Sequence, residues 1–159
     1  MRSRSTLGAV AVLTGALAAA GLAFAPTAGA VSPGSATATY DCGTWGSGTA
    51  NLAATQSGTA ATITLTSAIT TPVAVGADTI SSTLTMAKGG GGTRVFTGKK
   101  NPALAAGQSV KIGPLSGTVA SGDSLNSYFA GVALKMVIFG VTVNCDAVTS
   151  QSPGPFVFS

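Results

Sequence analysis

The chain has 159 residues, with eight Lys or Arg, four Asp or Glu and no His, for a formal net charge of +4. Its 45% hydrophobic share and mean hydropathy of +0.48 argue against intrinsic disorder, which goes with low hydrophobicity and high net charge. Histidine and glutamate are both absent, which excludes Ser-His-Asp and Cys-His catalysis and leaves only Asp41, Asp78, Asp123 and Asp146 for acid–base work.

Residues 1–30 read as a secretory signal peptide. Arg2 and Arg4 precede an uncharged apolar run from Leu7 to Leu22, and Ala28-Gly29-Ala30 supplies a small-x-small cleavage pattern. The run is shorter than the about 20 apolar residues a spanning helix needs, so the mature form is expected to carry no integral membrane segment. Ala23-Phe24-Ala25 is a competing site, but Pro26 would follow that cut. Cleavage after Ala30 leaves 31–35 as a short linker and 36–159 as a single domain, secreted or associated with the cell wall. That domain has six basic residues (Lys88, Arg94, Lys99, Lys100, Lys111, Lys135) against four acidic ones, a net +2, too little for a nucleic-acid partner.

The mature chain reads as strands. Ala36, Ala38, Tyr40 and Cys42 alternate with Thr37, Thr39 and Asp41, which in a strand puts the two sets on opposite faces. Ala61 to Thr66 alternates apolar residues with threonine. Thr79 to Met86 sets Ile80, Ser82, Leu84 and Met86 against Thr79, Ser81, Thr83 and Thr85. Shorter candidates are Pro72 to Val75, Thr93 to Thr97, Gln108 to Ile112 and Gly117 to Ala120. Turn signals separate the runs at Gly76-Ala77-Asp78, Gly89 to Gly92, Asn101-Pro102, Gly113-Pro114 and Ser121-Gly122-Asp123. Tyr128 to Leu134 is apolar on both parities, and Val137, Phe139, Val141, Val143 and Cys145 share one inward parity, so both stretches are expected as strand. Seven to nine short strands, with no capped helical periodicity, predict an all-β fold: an Ig-like sandwich first, a β-barrel as the alternative.

Cys42 and Cys145 are the two cysteines, and both fall on the apolar parity of their strands. In an exported chain such a pair predicts a disulfide. Two distant thiols without histidine do not make a zinc site, and lone aspartates do not make a calcium site, so no metal and no cofactor are expected. No paired carboxylates or Ser-x-x-Lys are present, and the chain is read as a non-enzyme.

The candidate contact residues are Trp45, Lys88, Arg94, Lys99 and Lys100. Trp45 lies in the glycine-flanked stretch Cys42 to Gly48, placed either to stack on a partner or to pack over the disulfide end of the core. Lys88-Gly89-Gly90-Gly91-Gly92-Thr93-Arg94 lacks the P-loop order, because its lysine precedes the glycines and a strand follows. With Lys99 and Lys100 it is read as a small basic edge toward acidic envelope polymers, or as the solvated guard of an edge strand. The Phe156-Val157-Phe158 tail is either exposed aromatic surface or a last strand.

The leader, the Ala/Gly/Thr bias, the Tyr40-x-Cys42 start and the Val143-Asn144-Cys145 end resemble small exported actinobacterial proteins of Ig-like fold. The size also resembles the enediyne-binding apoproteins of the neocarzinostatin type, whose pattern has two disulfides where this chain can make one. Three functional readings follow. The first is a non-catalytic binding or structural module at the cell surface, in contact with cell-wall polymer or a surface protein. The second is a carrier of a small hydrophobic ligand in an apolar cleft. The third is a coat protein whose partner is itself.

Overall fold

The computed structural model describes residues 31–159, so the expected signal peptide lies outside the described residues. The strands are β1 (Ser35–Asp41), β2 (Ser47–Ser57), β3 (Ala60–Thr70), β4 (Ser81–Lys88), β5 (Thr93–Lys99), β6 (Ser109–Thr118), β7 (Ser124–Ser127), β8 (Leu134–Ile138), β9 (Val141–Ala147) and β10 (Phe156–Val157). The one helical turn among the described residues is a 3₁₀ turn over Gly43–Trp45. Residues 31–35 are tied to the tail, since Ser32 and Val157 exchange backbone hydrogen bonds of 3.0 and 2.8 Å.

The fold is an all-β barrel. Eight strands form a ring in the order β4-β5-β6-β3-β2-β1-β9-β8, and β8 returns to β4 through Ser81↔Val137, Ser82↔Met136, Thr83↔Lys135 and Leu84↔Leu134. The expected Ig-like sandwich is therefore corrected to its alternative. A sandwich and a barrel share the same period-two alternation, and they differ in whether the outer strands pair. Here β4 divides its free edge, giving Ser81 to Leu84 to β8 and Met86 to Lys88 to β7. β7 and β10 thus hang off the ring as a two-strand flap.

The inward parities of β1, β3 and β4 follow the sequence pattern: Ala36, Ala38, Tyr40, Ala61, Ile63, Leu65, Ile80, Ser82, Leu84 and Met86 are all buried. Other expectations change. β2 carries no expected strand, yet Ala50, Leu52, Ala54 and Gln56 face inward along it. Gln108 to Ile112 and Gly117 to Ala120 belong to one stretch, because β6 runs through Gly113-Pro114 on a bulge. Ile63 pairs with Leu115 and Leu65 with Ile112, so β6 holds one extra residue there. Glycine is required at that point: Gly113 has φ 105°, and a Cβ would meet Ile63 O at 2.7 Å. Pro72 to Val75 forms no strand, only an isolated bridge from Val75 to Leu104.

The largest correction lies between Tyr128 and Cys145. Tyr128 to Ala133 is irregular, with Phe129 and Val132 exposed. The expected continuous strand from Val137 to Cys145 is a hairpin, β8 and β9, with Ile138 opposite Val141 across Phe139 and Gly140. Both turn residues have positive φ, 51° and 79°, the backbone of a two-residue primed turn. Phe at the first position hides that turn, where Asn or Asp would announce it. The two-residue turn puts Ile138 and Val141 on one face, so Val137 leaves the expected inward set, which becomes Leu134, Met136 and Ile138 on β8 and Val141, Val143, Cys145 and Ala147 on β9, with Val141 exposed at the barrel end and Phe139 exposed in the turn.

The end of the barrel that holds Met86 and Phe96 is closed by packing. Phe96, Leu115, Leu125, Phe156 and Phe158 are fully buried there, so the tail is a pinned strand rather than exposed aromatic surface. Gln56, on β2, locks the terminus: its amide donates to Ser159 O and its carbonyl accepts from Ser159 N–H at 3.0 Å. At the same end Asp123, 3% exposed, binds Arg94 Nε at 2.6 Å, Lys88 Nζ at 3.3 Å and the Ala120 N–H at 2.9 Å. The Arg94 hydrogen bond, aided by Ala120 and Lys88 against the cost of burial, lowers the Asp123 carboxyl to about 2.

The β1–β9 seam is short. Only Tyr40↔Ala147 and Asp41↔Asp146 pair along it, against eight pairs between β2 and β3. The Cys42–Cys145 disulfide spans this seam and closes a separation of 103 residues.

Two outcomes are expected. Replacing Cys42 and Cys145 together by Ser lowers the free energy of unfolding by about 2–5 kcal/mol, in line with the chain entropy of so long a loop; urea unfolding of the two proteins measures it. Asp123 is depressed in the fold, so its contribution of about 2 kcal/mol is complete above about pH 4 and is lost as pH falls toward about 2. Asp123→Asn removes that acid dependence in denaturant titrations across this window.

Candidate functional site: an apolar cavity in the barrel mouth

The opposite end of the barrel is hollow. A cavity of about 630 Å³ opens where β1, β3 and β8 end and β2, β6 and β9 begin. An eight-stranded ring is just wide enough to be filled by its own side chains or to hold one small ligand. The choice is made by side-chain size. Ala38 on β1, Ala50 on β2 and Ser67 on β3 are direct cross-strand partners, so one row across three adjacent strands is small. Ala50 and Ser67 line the cavity. The next row is lean too, because Tyr40 stands opposite Gly48.

The remaining wall is apolar. β3 and β6 give Leu65, Ile69, Val110 and Ile112, while β8 and β9 give Leu134, Met136, Ile138 and Val143. The rim is apolar and exposed: Trp45 at 46%, Val73, Val141 and Phe139 at 67%. Among the described residues no charged side chain lines the cavity. Its polar groups are the hydroxyls of Tyr40, Thr44, Ser67, Thr70 and Thr71. Thr71 Oγ1 donates to Ala105 O at 3.1 Å, and Ser67 Oγ accepts from the Ile69 N–H at 3.0 Å. Burial of Tyr40 pushes its phenol up to about 12, so it stays neutral and able to donate.

Trp45 reaches the rim through local geometry. After Cys42 the chain turns in the 3₁₀ segment, with the Gly43 N–H donating to Asp41 Oδ1 at 2.9 Å and the Cys42 N–H to Gly46 O at 2.9 Å. Ser47 Oγ ties the far side to Tyr40 O at 3.1 Å. The indole thus sits beside the disulfide end of the core, half exposed and bordering the cavity.

The basic candidates are not gathered at this site. Lys88 and Arg94 both bind Asp123 at the closed end. Lys99 and Lys100 lie at the far end of β5 or just beyond it, and Lys100 faces Asp78 at 3.5 Å. Lys99 borders a shallow outer groove of about 380 Å³ with Ser81, Thr83, Thr97 and Lys135. The four therefore form no single basic edge. Among the described residues no cluster of three His, Cys, Asp or Glu exists.

Sequence reasoning assigned Tyr40 an inward position but no role, and it missed Ala50, Ser67, Val73 and Phe139 as site residues. The usable signal is the small inward residue repeated on neighbouring strands. It becomes visible only once register places Ala38, Ala50 and Ser67 in one row. No protein-family model, curated protein or solved structure matches the chain.

Tyr40 offers a direct check on this geometry. Its pKa is raised above the ordinary 10.0, so its share of stability is intact below about pH 10 and is lost as pH rises toward about 12. The loss attributable to Tyr40 amounts to about 1.4 kcal/mol by pH 11, half of the about 3 kcal/mol reached above pH 12. Urea unfolding of wild type and Tyr40→Phe at pH 9 to 11 separates this share from that of the lysines.

Proposed function

We propose that the protein is an exported, non-catalytic carrier that holds one small, neutral, hydrophobic molecule in the barrel mouth. The observation that carries this reading is the unfilled apolar cavity of about 630 Å³, within the range of pockets that bury small ligands. The wall offers dispersion and dehydration and no ionic partner, so an apolar guest is favoured and a charged one is penalised. The absence of histidine and glutamate supports a role without turnover. The leader-like first thirty residues and the disulfide support export to an oxidising compartment, with the cell envelope as the setting. A relation to small exported actinobacterial proteins is part of the proposal.

The exposed apolar rim favours a second reading, self-association mouth to mouth. Sedimentation of the protein with and without saturating ligand separates the two: a dimer that persists when ligand is saturating belongs to assembly rather than carriage.

The test uses N-phenyl-1-naphthylamine, a neutral apolar fluorophore. It is expected to bind one per chain in the micromolar range and to quench the single tryptophan by energy transfer. Ala50→Phe, which fills the cavity from its wall, weakens binding at least about tenfold while the thermal midpoint is kept; a tenfold loss is about 1.4 kcal/mol. Absence of binding up to the solubility limit, or unchanged binding to a folded Ala50→Phe, overturns the carrier reading.

A further inference from the structure

The Tyr40 hydroxyl has a property that an apolar wall does not require. Tyr40 is 4% exposed, and among the described residues its hydroxyl makes no hydrogen bond. Nor is that hydroxyl sealed by protein, as the unpartnered hydroxyls of Ser82 and Ser127 are. It therefore opens on the cavity that its side chain lines. A buried hydroxyl without a partner costs free energy, and phenylalanine would fill the same volume without that cost. Of the other lining hydroxyls, Thr71 donates to a backbone carbonyl, Ser67 accepts from a backbone N–H, and Thr44 and Thr70 are exposed.

We infer that the ligand is a mostly apolar molecule bearing one neutral hydrogen-bonding oxygen, of the ketone, ester, ether or alcohol class, which enters oxygen-first and pairs with Tyr40 Oη. The inference rests on the carrier reading and deepens it. A carboxylate or an ammonium is excluded as the buried end, because no charged side chain lines the wall to pair with it. A plain hydrocarbon fits the wall but leaves Tyr40 unsatisfied. Oxygen-first entry also puts the apolar remainder against Trp45 and Phe139 at the rim.

The test is a cycle of two ligands and two proteins. 2-Acetylnaphthalene and 2-ethylnaphthalene have nearly the same shape and differ by a carbonyl oxygen. Their affinities for wild type and Tyr40→Phe are measured by displacement of N-phenyl-1-naphthylamine. The substitution weakens the ketone about tenfold, as loss of one buried hydrogen bond does, and leaves the hydrocarbon within about twofold. The carbonyl stretch of the ketone bound to wild type shifts to lower frequency, a sign of hydrogen bonding that needs no variant. Equal effects of Tyr40→Phe on both ligands, or a carbonyl stretch unshifted from that in alkane, overturn the inference and leave the carrier reading standing. Failure of both ligands and of the fluorophore to bind wild type overturns both.

Discussion

The return of β8 to β4 is the constraint on which the molecule depends. Four residue pairs, Ser81 to Leu84 against Val137 to Leu134, turn a long sheet into a ring. Without them β4 and β8 would both be edges, with unpaired amide and carbonyl groups open to other chains. With them the inward side chains of eight strands converge on one axis, and volume along that axis is set by their sizes. β4 continues past the contact and pairs with β7, so the flap and its tail Phe156 and Phe158 fall across one end. Closure and plugging are thus two uses of the same strand edge.

The two ends of the barrel differ because the inward residues differ. Phe96, Leu115, Leu125, Phe156 and Phe158 fill one end, and Gln56 and Asp123 fasten the segments around it. At the other end Ala38, Ala50, Ser67 and Gly48 leave space that no neighbour enters far enough to fill. An open apolar space is destabilising unless something occupies it, because its walls lack the dispersion contacts of a packed core. The disulfide stands beside this space, across the short two-pair seam of β1 and β9, and holds the ring closed next to the cavity.

The carrier proposal rests on what the chain lacks as much as on what it has. Half of its ten described charged side chains are paired with one another, Lys88 and Arg94 with Asp123 at the closed end and Lys100 with Asp78 on the surface. Among the described residues no charged side chain lines the cavity, and its polar groups are the Tyr40 phenol and the hydroxyls of Thr44, Ser67, Thr70 and Thr71. Trp45 links that site to the covalent staple, since the turn that begins at Cys42 delivers the indole to the rim.

The sequence by itself determined the strand character, the inward faces of β1, β3 and β4, and the Cys42–Cys145 pairing, because alternation and cysteine parity are local properties of a pleated chain. It did not determine β2, whose Ala-rich alternation is too weak to register, or the Phe139-Gly140 turn, whose first residue is uncommon at positive φ. Tertiary structure alone decided between sandwich and barrel, since β4 and β8 are far apart in the chain and no local pattern encodes that pairing. It also decided where the site lies. The small residues Ala38, Ala50 and Ser67 are unremarkable one by one, and they make a cavity only when strand register sets them side by side.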